Sequence, residues 1–226
     1  MFSVTNRWNR HVSVYEDNRP DGLADVPAFV TELFDAGELI KASKRSTLVR
    51  SQWRGERFVA KCYKTRKMRY LINSFVRGRG SLPAWNNIFL LRRLGIRTLE
   101  PVLLLEQRFF RFPGESFLVT REIEGENISV YLQQRGGDLP DEQLAGLRDM
   151  FEVFYAARLI HGDLNEDNIM ITADGPVLID LDKLSTARDP ADFASRFEAE
   201  KVRFLRKLSP WPAAMERVAG IFPPLG

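Results

Sequence analysis

The sequence is poor in the residue types that build disulfides and zinc sites. Among its 226 residues there are one cysteine, Cys62, and two histidines, His11 and His161. A lone cysteine excludes an internal disulfide, and so few cysteines and histidines exclude a zinc cluster. Because 44% of the residues are hydrophobic, we expect a protein of a reducing compartment that is stabilised by an ordinary apolar core.

Long apolar runs are also missing. No stretch is long enough to span a bilayer, and residues 1–7 lack the apolar segment of a signal peptide. We therefore expect a cytoplasmic protein of one domain or two small lobes.

The sequence does contain a group of polar residues at fixed spacing. Residues 161–168 read HGDLNEDN, which is the H-x-D-L-x-x-x-N spacing of a kinase catalytic loop. Apolar runs flank this loop and Asp180, so two buried strands joined by a turn at 173–176 would bring Asp163, Asn168 and Asp180 to one rim. Each residue alone is ordinary in a turn, but the joint pattern favours a site of phosphoryl transfer.

These residue types suit that chemistry, in which the protein positions groups and neutralises phosphate charge. Asn168 and Asp180 offer oxygen ligands of the kind that Mg²⁺ prefers, and Asp182 either binds metal or caps the turn. Asp163 would accept the proton of the attacking hydroxyl or orient that hydroxyl. His161 is predicted to anchor the loop rather than to act as a base.

A lysine that a kinase needs upstream lies in a strand-forming segment. Residues 57–63 read RFVAKCY, and Lys61 is predicted to hold the phosphates of ATP and to serve catalysis. An ordinary lysine on an edge strand would leave the same pattern. The catalytic loop about one hundred residues later favours the functional interpretation.

The preceding segment predicts a hairpin that covers phosphate. Residues 37–41 and 46–50 read as its strands and 42–45 as its turn, which contains no glycine. Phosphate contact would then rest on backbone N–H groups, on Ser43 and Ser46 and on the neighbouring basic charges. An ordinary basic hairpin turn explains the same residues.

The following helix is predicted to begin after Ser81 and to end at Gly95. It contains no glutamate to pair with Lys61, and Asn87 is the candidate for that position. Residues 121–125 are the predicted hinge, where backbone groups at Glu122 would meet adenine.

The order of these elements predicts an α+β fold of the two-lobed protein-kinase-like kind. Residues 1–124 would form a small β-rich N-terminal lobe, and residues 125–226 a reduced helical C-terminal lobe. Apolar spacing places helices at 127–135, 140–158 and 190–208.

The C-terminal part is short, which narrows the expected substrate. Only 44 residues follow Asp182 in the 226-residue sequence, too few for an activation segment and a peptide-docking lobe. Gly162 also replaces the arginine of the H-R-D pattern. We therefore expect a small, exposed hydroxyl substrate.

Residues 161–165 with Asn168, followed by residues 179–183, resemble the lipopolysaccharide kinase family, which includes Kdo kinases and inner-core heptose kinases. Residues 85–87 and 94–98 with Pro101 are similar to the αC region of that family. The resemblance covers residues 40–185.

This resemblance implies ATP-dependent phosphorylation of a sugar hydroxyl in the lipopolysaccharide inner core. It implies that Asp163 is the base, that Asn168 and Asp180 are Mg²⁺ ligands and that Lys61 anchors ATP. Aminoglycoside-type phosphotransferases also use an H-G-D loop, whereas Asp182 favours the lipopolysaccharide group.

Two alternatives remain open at this stage. One is a kinase of another small molecule or of a protein, and the other is a pseudokinase that binds nucleotide without chemistry. The glycine-free turn and the missing glutamate favour the pseudokinase, whereas the retention of Lys61, Asp163, Asn168 and Asp180 counts against it.

Charge is unevenly spread in the chain. The net charge is +3, yet six basic residues lie within 64–79, interleaved with aromatic residues. This segment is predicted to dock the protein on the inner face of the inner membrane through anionic lipid headgroups. A solvated charged linker fits equally well, and no nucleic acid is expected because no binding fold accompanies the patch.

Overall fold

The computed structural model describes residues 2–7, 10–64, 81–109 and 112–224, with side chains described from residue 14 onward except at 108–109 and 112–113. The chain forms two compact units. Unit 1 comprises Met1–Ile88 and Leu99–Glu122, and unit 2 comprises Phe89–Thr98 and Ile123–Gly226. The functional lobes 1–124 and 125–226 remain a prediction.

Unit 1 is built on an antiparallel sheet. Within the described residues its spatial order is β1-β2-β6-β7-β5-β4-β3. The strands are β1 (Phe2–Arg7), β2 (Arg10–Glu16), β3 (Glu38–Ala42), β4 (Ser46–Trp53), β5 (Glu56–Tyr63), β6 (Pro101–Phe109) and β7 (Phe112–Arg121). The predicted hairpin is confirmed as β3 and β4, joined at residues 43–45.

Helix α1 (Val26–Asp35) covers one face of this sheet. It begins where the Asp25 carboxylate accepts a 3.0 Å hydrogen bond from the Ala28 N–H, which satisfies a free donor of the first turn. Phe29 packs edge-on against Trp53 and Phe58, with ring centroids 5.0 and 5.5 Å apart. The sequence within residues 1–36 carried no firm expectation, and the structure places α1 there.

Side-chain alternation decides which residues of β5 face that core. Phe58, Ala60 and Cys62 are buried, so Lys61 and Tyr63 project from the opposite face of the sheet. Helix α2 (Leu82–Arg93) follows residue 81, and Gly95 adopts a φ of +79° just after it, in agreement with the predicted start and end.

Unit 2 combines helices with short strands. Its elements are β8 (Glu126–Asn127), α3 (Ile128–Gln134), α4 (Asp141–Ala156), β9 (Leu159–Ile160), β10 (Ile169–Thr172), β11 (Gly175–Leu178), β12 (Ser185–Thr186), α5 (Pro190–Lys207) and α6 (Pro212–Ala219). Strand β10 pairs with β11 and β8, and β12 pairs with β9. The three predicted helices and the hairpin at 169–178 are confirmed, whereas α6 was not predicted.

Aromatic side chains form much of the core of unit 2. Phe151 of α4 stacks on Phe222 with ring centroids 4.1 Å apart, and Phe204 of α5 packs edge-on against Phe151 at 5.9 Å. The proline-containing tail therefore packs on this unit at Phe222. Among the described residues, no helix combines the length and the apolar character that crossing a membrane requires.

Candidate active site

The H-G-D loop connects β9 to β10, and a glycine shapes its start. Gly162 has a φ of +81°, a conformation that residues with a Cβ atom rarely adopt. A Cβ at this position would lie 2.6 Å from the Cβ of Lys183 and 2.8 Å from its carbonyl oxygen. The loop and the segment after Asp180 therefore approach each other more closely than any side chain at residue 162 would allow.

His161 anchors this loop from within. It is fully buried, and its Nε2 donates a 3.1 Å hydrogen bond to the carbonyl oxygen of Ile179. Burial lowers the pKa of His161, an effect that the Ile179 hydrogen bond and the carboxylates of Asp180 and Asp163 only partly oppose. A neutral imidazole thus ties the loop to the residue that precedes Asp180, as predicted.

A buried glutamate that the sequence analysis did not select supports the same loop. Glu200 of α5 accepts hydrogen bonds from the backbone N–H of His161, at 3.0 Å, and from that of Gly162. Burial raises the pKa of Glu200, and the two backbone hydrogen bonds oppose that rise.

The sequence signal for Glu200 was its position in an amphipathic helix. Phe193, Phe197 and Phe204 form the buried face of α5, and Glu200 lies on that face. An ionisable residue in an apolar stripe is uncommon unless it has a partner. Here the partners are two main-chain donors of a distant loop, which spacing alone does not identify.

Asp163 presents its carboxylate beside a lysine. Its Oδ2 accepts a 2.8 Å hydrogen bond from Nζ of Lys183, and the Asp163 side chain is 40% exposed. This hydrogen bond is the main cause that lowers the pKa of Asp163. Partial burial opposes the effect, and the charge of Arg203 acts in the same direction as Lys183. Asp163 is therefore ionised at neutral pH.

Two amides fix the main chain at Asp163. Nδ2 of Asn165 and Nδ2 of Asn168 both donate to the Asp163 carbonyl oxygen, each at 2.9 Å. These hydrogen bonds define the loop backbone, so the direction in which the carboxylate leaves that backbone is set by residues of its own loop.

Asn168 lies directly before β10, and Asp180 lies two residues after the end of the paired strand β11. The N–H of Ile179 donates to the carbonyl oxygen of Asn168 at 2.9 Å, and Asp180 is the next residue. Asp180 has a φ of +56° and a ψ of +57°, a left-handed conformation that aspartate tolerates better than most residues and that is common at functional sites.

This donor set fits magnesium. Because Nδ2 of Asn168 is held by the Asp163 carbonyl, the amide oxygen faces away from that contact, and Asp180 adds a carboxylate. Within the described part of the chain no three His, Cys, Asp or Glu residues cluster. Mg²⁺ does not need such a cluster, since it commonly binds one or two protein oxygens together with substrate phosphates and water.

Asp182 lies in the 3₁₀ turn Leu181–Lys183 that follows Asp180. It is exposed, and its assignment to the metal remains a prediction.

Unit 1 carries the residues predicted to bind nucleotide. Lys61 projects from the sheet face opposite α1, and its Nζ lies 5.0 Å from the ring centroid of Tyr63. Asn87 lies in α2 as predicted. The roles of Lys61 and Asn87 remain predictions.

The side chain of Ser43 closes the glycine-free turn. Oγ of Ser43 accepts hydrogen bonds from the N–H groups of Arg45 and Ser46, at 3.1 and 3.0 Å. These two donors already have a partner within the turn, which is a physical difference from a glycine-rich loop. Phosphate contact by Ser43 and Ser46 remains a prediction.

Glu122 at the predicted hinge has partners of its own. Its carboxylate contacts Nε of Arg50 at 2.5 Å and Nε of Arg57 at 3.5 Å. Its N–H donates to the carbonyl oxygen of Arg57, so any contact with adenine would use the Glu122 carbonyl group. Residues 65–79 of the predicted membrane-docking segment lie outside the part of the chain that the structure describes.

Comparison with known proteins gives two results. The model of the lipopolysaccharide kinase (Kdo/WaaP) family matches residues 36–214. A solved structure described as WaaP in complex with acyl carrier protein superimposes with a TM-score of 0.55 at 19% sequence identity, covering 91% of this chain and 98% of that chain. This similarity confirms the predicted kinase-like fold. None of the curated proteins matches the chain significantly.

Proposed function

The chain belongs to the lipopolysaccharide kinase (Kdo/WaaP) family, and on that premise we propose that it transfers the γ-phosphate of ATP to a hydroxyl of Kdo or heptose. Members of the family are kinases that act on sugar hydroxyls, so the chain is a phosphotransferase. The acceptor sugar, the nucleotide and the metal are the parts that we propose.

The observation that carries the proposal is the ionised, partly exposed carboxylate of Asp163. Phosphoryl transfer passes through a loose transition state in which the protein mainly positions the reacting groups. A carboxylate with a lowered pKa is a weak base, yet it accepts a hydrogen bond from the acceptor hydroxyl throughout the physiological pH range. Asp163 would thus align the hydroxyl and take its proton late in the reaction.

The other roles follow from the same chemistry. Asn168 and Asp180 would hold Mg²⁺, which supplies neutralisation of phosphate charge when it is bound. Lys61 would contact the phosphates of ATP from its sheet face, with Asn87 orienting it. Ser43, Ser46 and Glu122 would complete the nucleotide site.

We also propose that the protein acts in the cytoplasm, at the inner face of the membrane that carries the acceptor. Six basic residues within 64–79 supply the charge for contact with anionic headgroups. The test is cosedimentation with vesicles of phosphatidylglycerol and phosphatidylethanolamine. Replacement of all six residues by glutamine is expected to abolish binding, and undiminished binding would refute membrane contact through this segment.

The test of the reaction uses labelled ATP and two defined acceptors. One is a lipopolysaccharide core that ends after Kdo, and the other is a core that carries unphosphorylated heptose. Transfer that requires Mg²⁺ is expected to one of them, and mass spectrometry of the product identifies the sugar. Bound ATP without transfer to either acceptor would refute the proposal and favour another small substrate or a pseudokinase.

A further inference from the structure

We propose that Lys183 is a positioning residue for Asp163, and that its ammonium holds the carboxylate in the orientation that the acceptor hydroxyl requires. This inference rests on the proposed function, because Asp163 has a substrate to align only if the chain transfers phosphate. The central observation is the 2.8 Å contact between Nζ of Lys183 and Oδ2 of Asp163.

The turn that carries Lys183 is firmly held. Residues Leu181–Lys183 form a single 3₁₀ turn, closed by a hydrogen bond from the Leu184 N–H to the Leu181 carbonyl oxygen at 3.2 Å. Leu181 and Leu184 are both buried, so the turn is anchored on either side of Lys183. The ammonium is therefore delivered from a fixed backbone, although its side chain is exposed.

Gly162 makes this approach possible. The positions of the Lys183 Cβ and carbonyl oxygen leave no room for a side chain at residue 162. A protein kinase of the H-R-D type carries an arginine at that position. We read Gly162 and Lys183 as a matched pair, in which the missing side chain on the catalytic loop admits a cation from the turn after Asp180.

The loop itself does not supply this contact. The side-chain amides of Asn165 and Asn168 donate to the main-chain carbonyl of Asp163, so they hold its backbone. Lys183 donates to its carboxylate. The other charged group that faces Asp163 is Arg203 on α5. The neutral imidazole of His161 lies on the same loop, and Asp180 lies near it.

Stability does not explain the pair. The two side chains are 56% and 40% exposed, and exposed ion pairs contribute at most about 1 kcal/mol to folding. The ion pair matters more for the rate of catalysis than for folding stability. A fixed cation keeps the carboxylate correctly directed, and small misplacements of a reacting group slow a reaction strongly.

The test compares Lys183→Met and Lys183→Arg with a matched control, Lys207→Met. Lys207 makes an ion pair with a different residue of the same loop, with its Nζ 3.3 Å from Oε1 of Glu166. Each variant is assayed for kcat and for the KM of ATP.

We expect Lys183→Met to lower kcat by about tenfold or more with little change in the KM of ATP. Lys183→Arg should restore most of kcat, and Lys207→Met should resemble the wild type.

A kcat of Lys183→Met that matches that of Lys207→Met, or a kcat that Lys183→Arg fails to restore, would overturn the inference. A wild-type protein that transfers no phosphate to the core acceptors overturns the proposed function instead.

Discussion

The carboxylate of Glu200 accepts a 3.0 Å hydrogen bond from the backbone N–H of His161, 39 residues earlier in the chain. A second backbone donor, at Gly162, meets the other oxygen of the same carboxylate. Helix α5 thus fixes the start of the catalytic loop through main-chain groups, so the support does not depend on the side chains that the loop uses for chemistry.

Removing the second acceptor of this carboxylate should destabilise the protein. In Glu200→Gln one of the two backbone N–H groups faces an amide NH₂ instead of an oxygen, and a buried unsatisfied donor costs about 1–3 kcal/mol. We expect a loss of that size in the free energy of unfolding, measured by urea titration at pH 7.

The matched control is Glu198→Gln on the same helix. Glu198 is half-buried and contacts Lys201 at 3.7 Å. Because this contact is long and lies at the surface, replacement of Glu198 should change stability by at most about 0.5 kcal/mol. Equal effects at the two positions would show that the backbone contacts of Glu200 are unimportant.

His161 should make stability depend on pH. Burial lowers its pKa from the ordinary value of 6.5, so the unfolded chain binds a proton at a pH where the folded protein does not. The wild type should therefore lose stability as pH falls below that value, until the pKa of the folded state is passed. In His161→Gln, which retains a donor for the Ile179 carbonyl oxygen, this loss should be absent. Urea midpoints between pH 8 and pH 5 measure it, and parallel curves for the two proteins would contradict the prediction.

Gly162→Ala should reveal the close approach of Lys183. The added Cβ meets both an unfavourable φ and the Lys183 backbone, and we expect a loss of about 1–3 kcal/mol in stability together with reduced transfer. Gly136→Ala is the control, because Gly136 also has a positive φ, of +62°, but has open space around it. A loss of stability no larger than that of the control would mean that the loop accommodates the added Cβ without a measurable energetic cost.

Replacing Asn168 or Asn165 should affect the Mg²⁺ concentration required for transfer differently. Asn165 and Asn168 both hold the Asp163 carbonyl oxygen, but only Asn168 is proposed as a ligand. Asn168→Ala should raise the Mg²⁺ concentration for half-maximal transfer by about tenfold or more. Asn165→Ala should loosen the loop without that change. Equal Mg²⁺ curves for the two variants would argue against Asn168 as a ligand.

The sequence alone predicted the features that depend on the local spacing of residues. The turn between β10 and β11 and the helix that ends before Gly95 were predicted from apolar periodicity and turn residues within a short window. The kinase-like fold was predicted from the spacing of the catalytic-loop residues and the order of the elements. The family was also identified correctly, from residues 161–168 and 179–183.

Sequence was insufficient where a contact joins distant segments. Glu200 and Lys183 are ordinary charged residues in the sequence, and their importance comes from backbone positions that tertiary packing sets. Helix α1 and strands β1 and β2 were missed for a related reason. The register of strand β2 is set by its pairing with β6, about ninety residues later. No local sequence pattern predicts that pairing.

The most direct test of the central claim compares Asp163→Asn with Asp167→Asn in a phosphate-transfer assay. Asp167 is an exposed carboxylate of the same loop, 3.5 Å from the Ser129 hydroxyl, so it controls for charge. The account predicts that Asp163→Asn lowers transfer from ATP to the core sugar by about 10²–10⁴-fold while ATP affinity is retained, and that Asp167→Asn stays near wild type. Equal transfer by the two variants would contradict the assignment of Asp163 as the residue that aligns and deprotonates the acceptor hydroxyl.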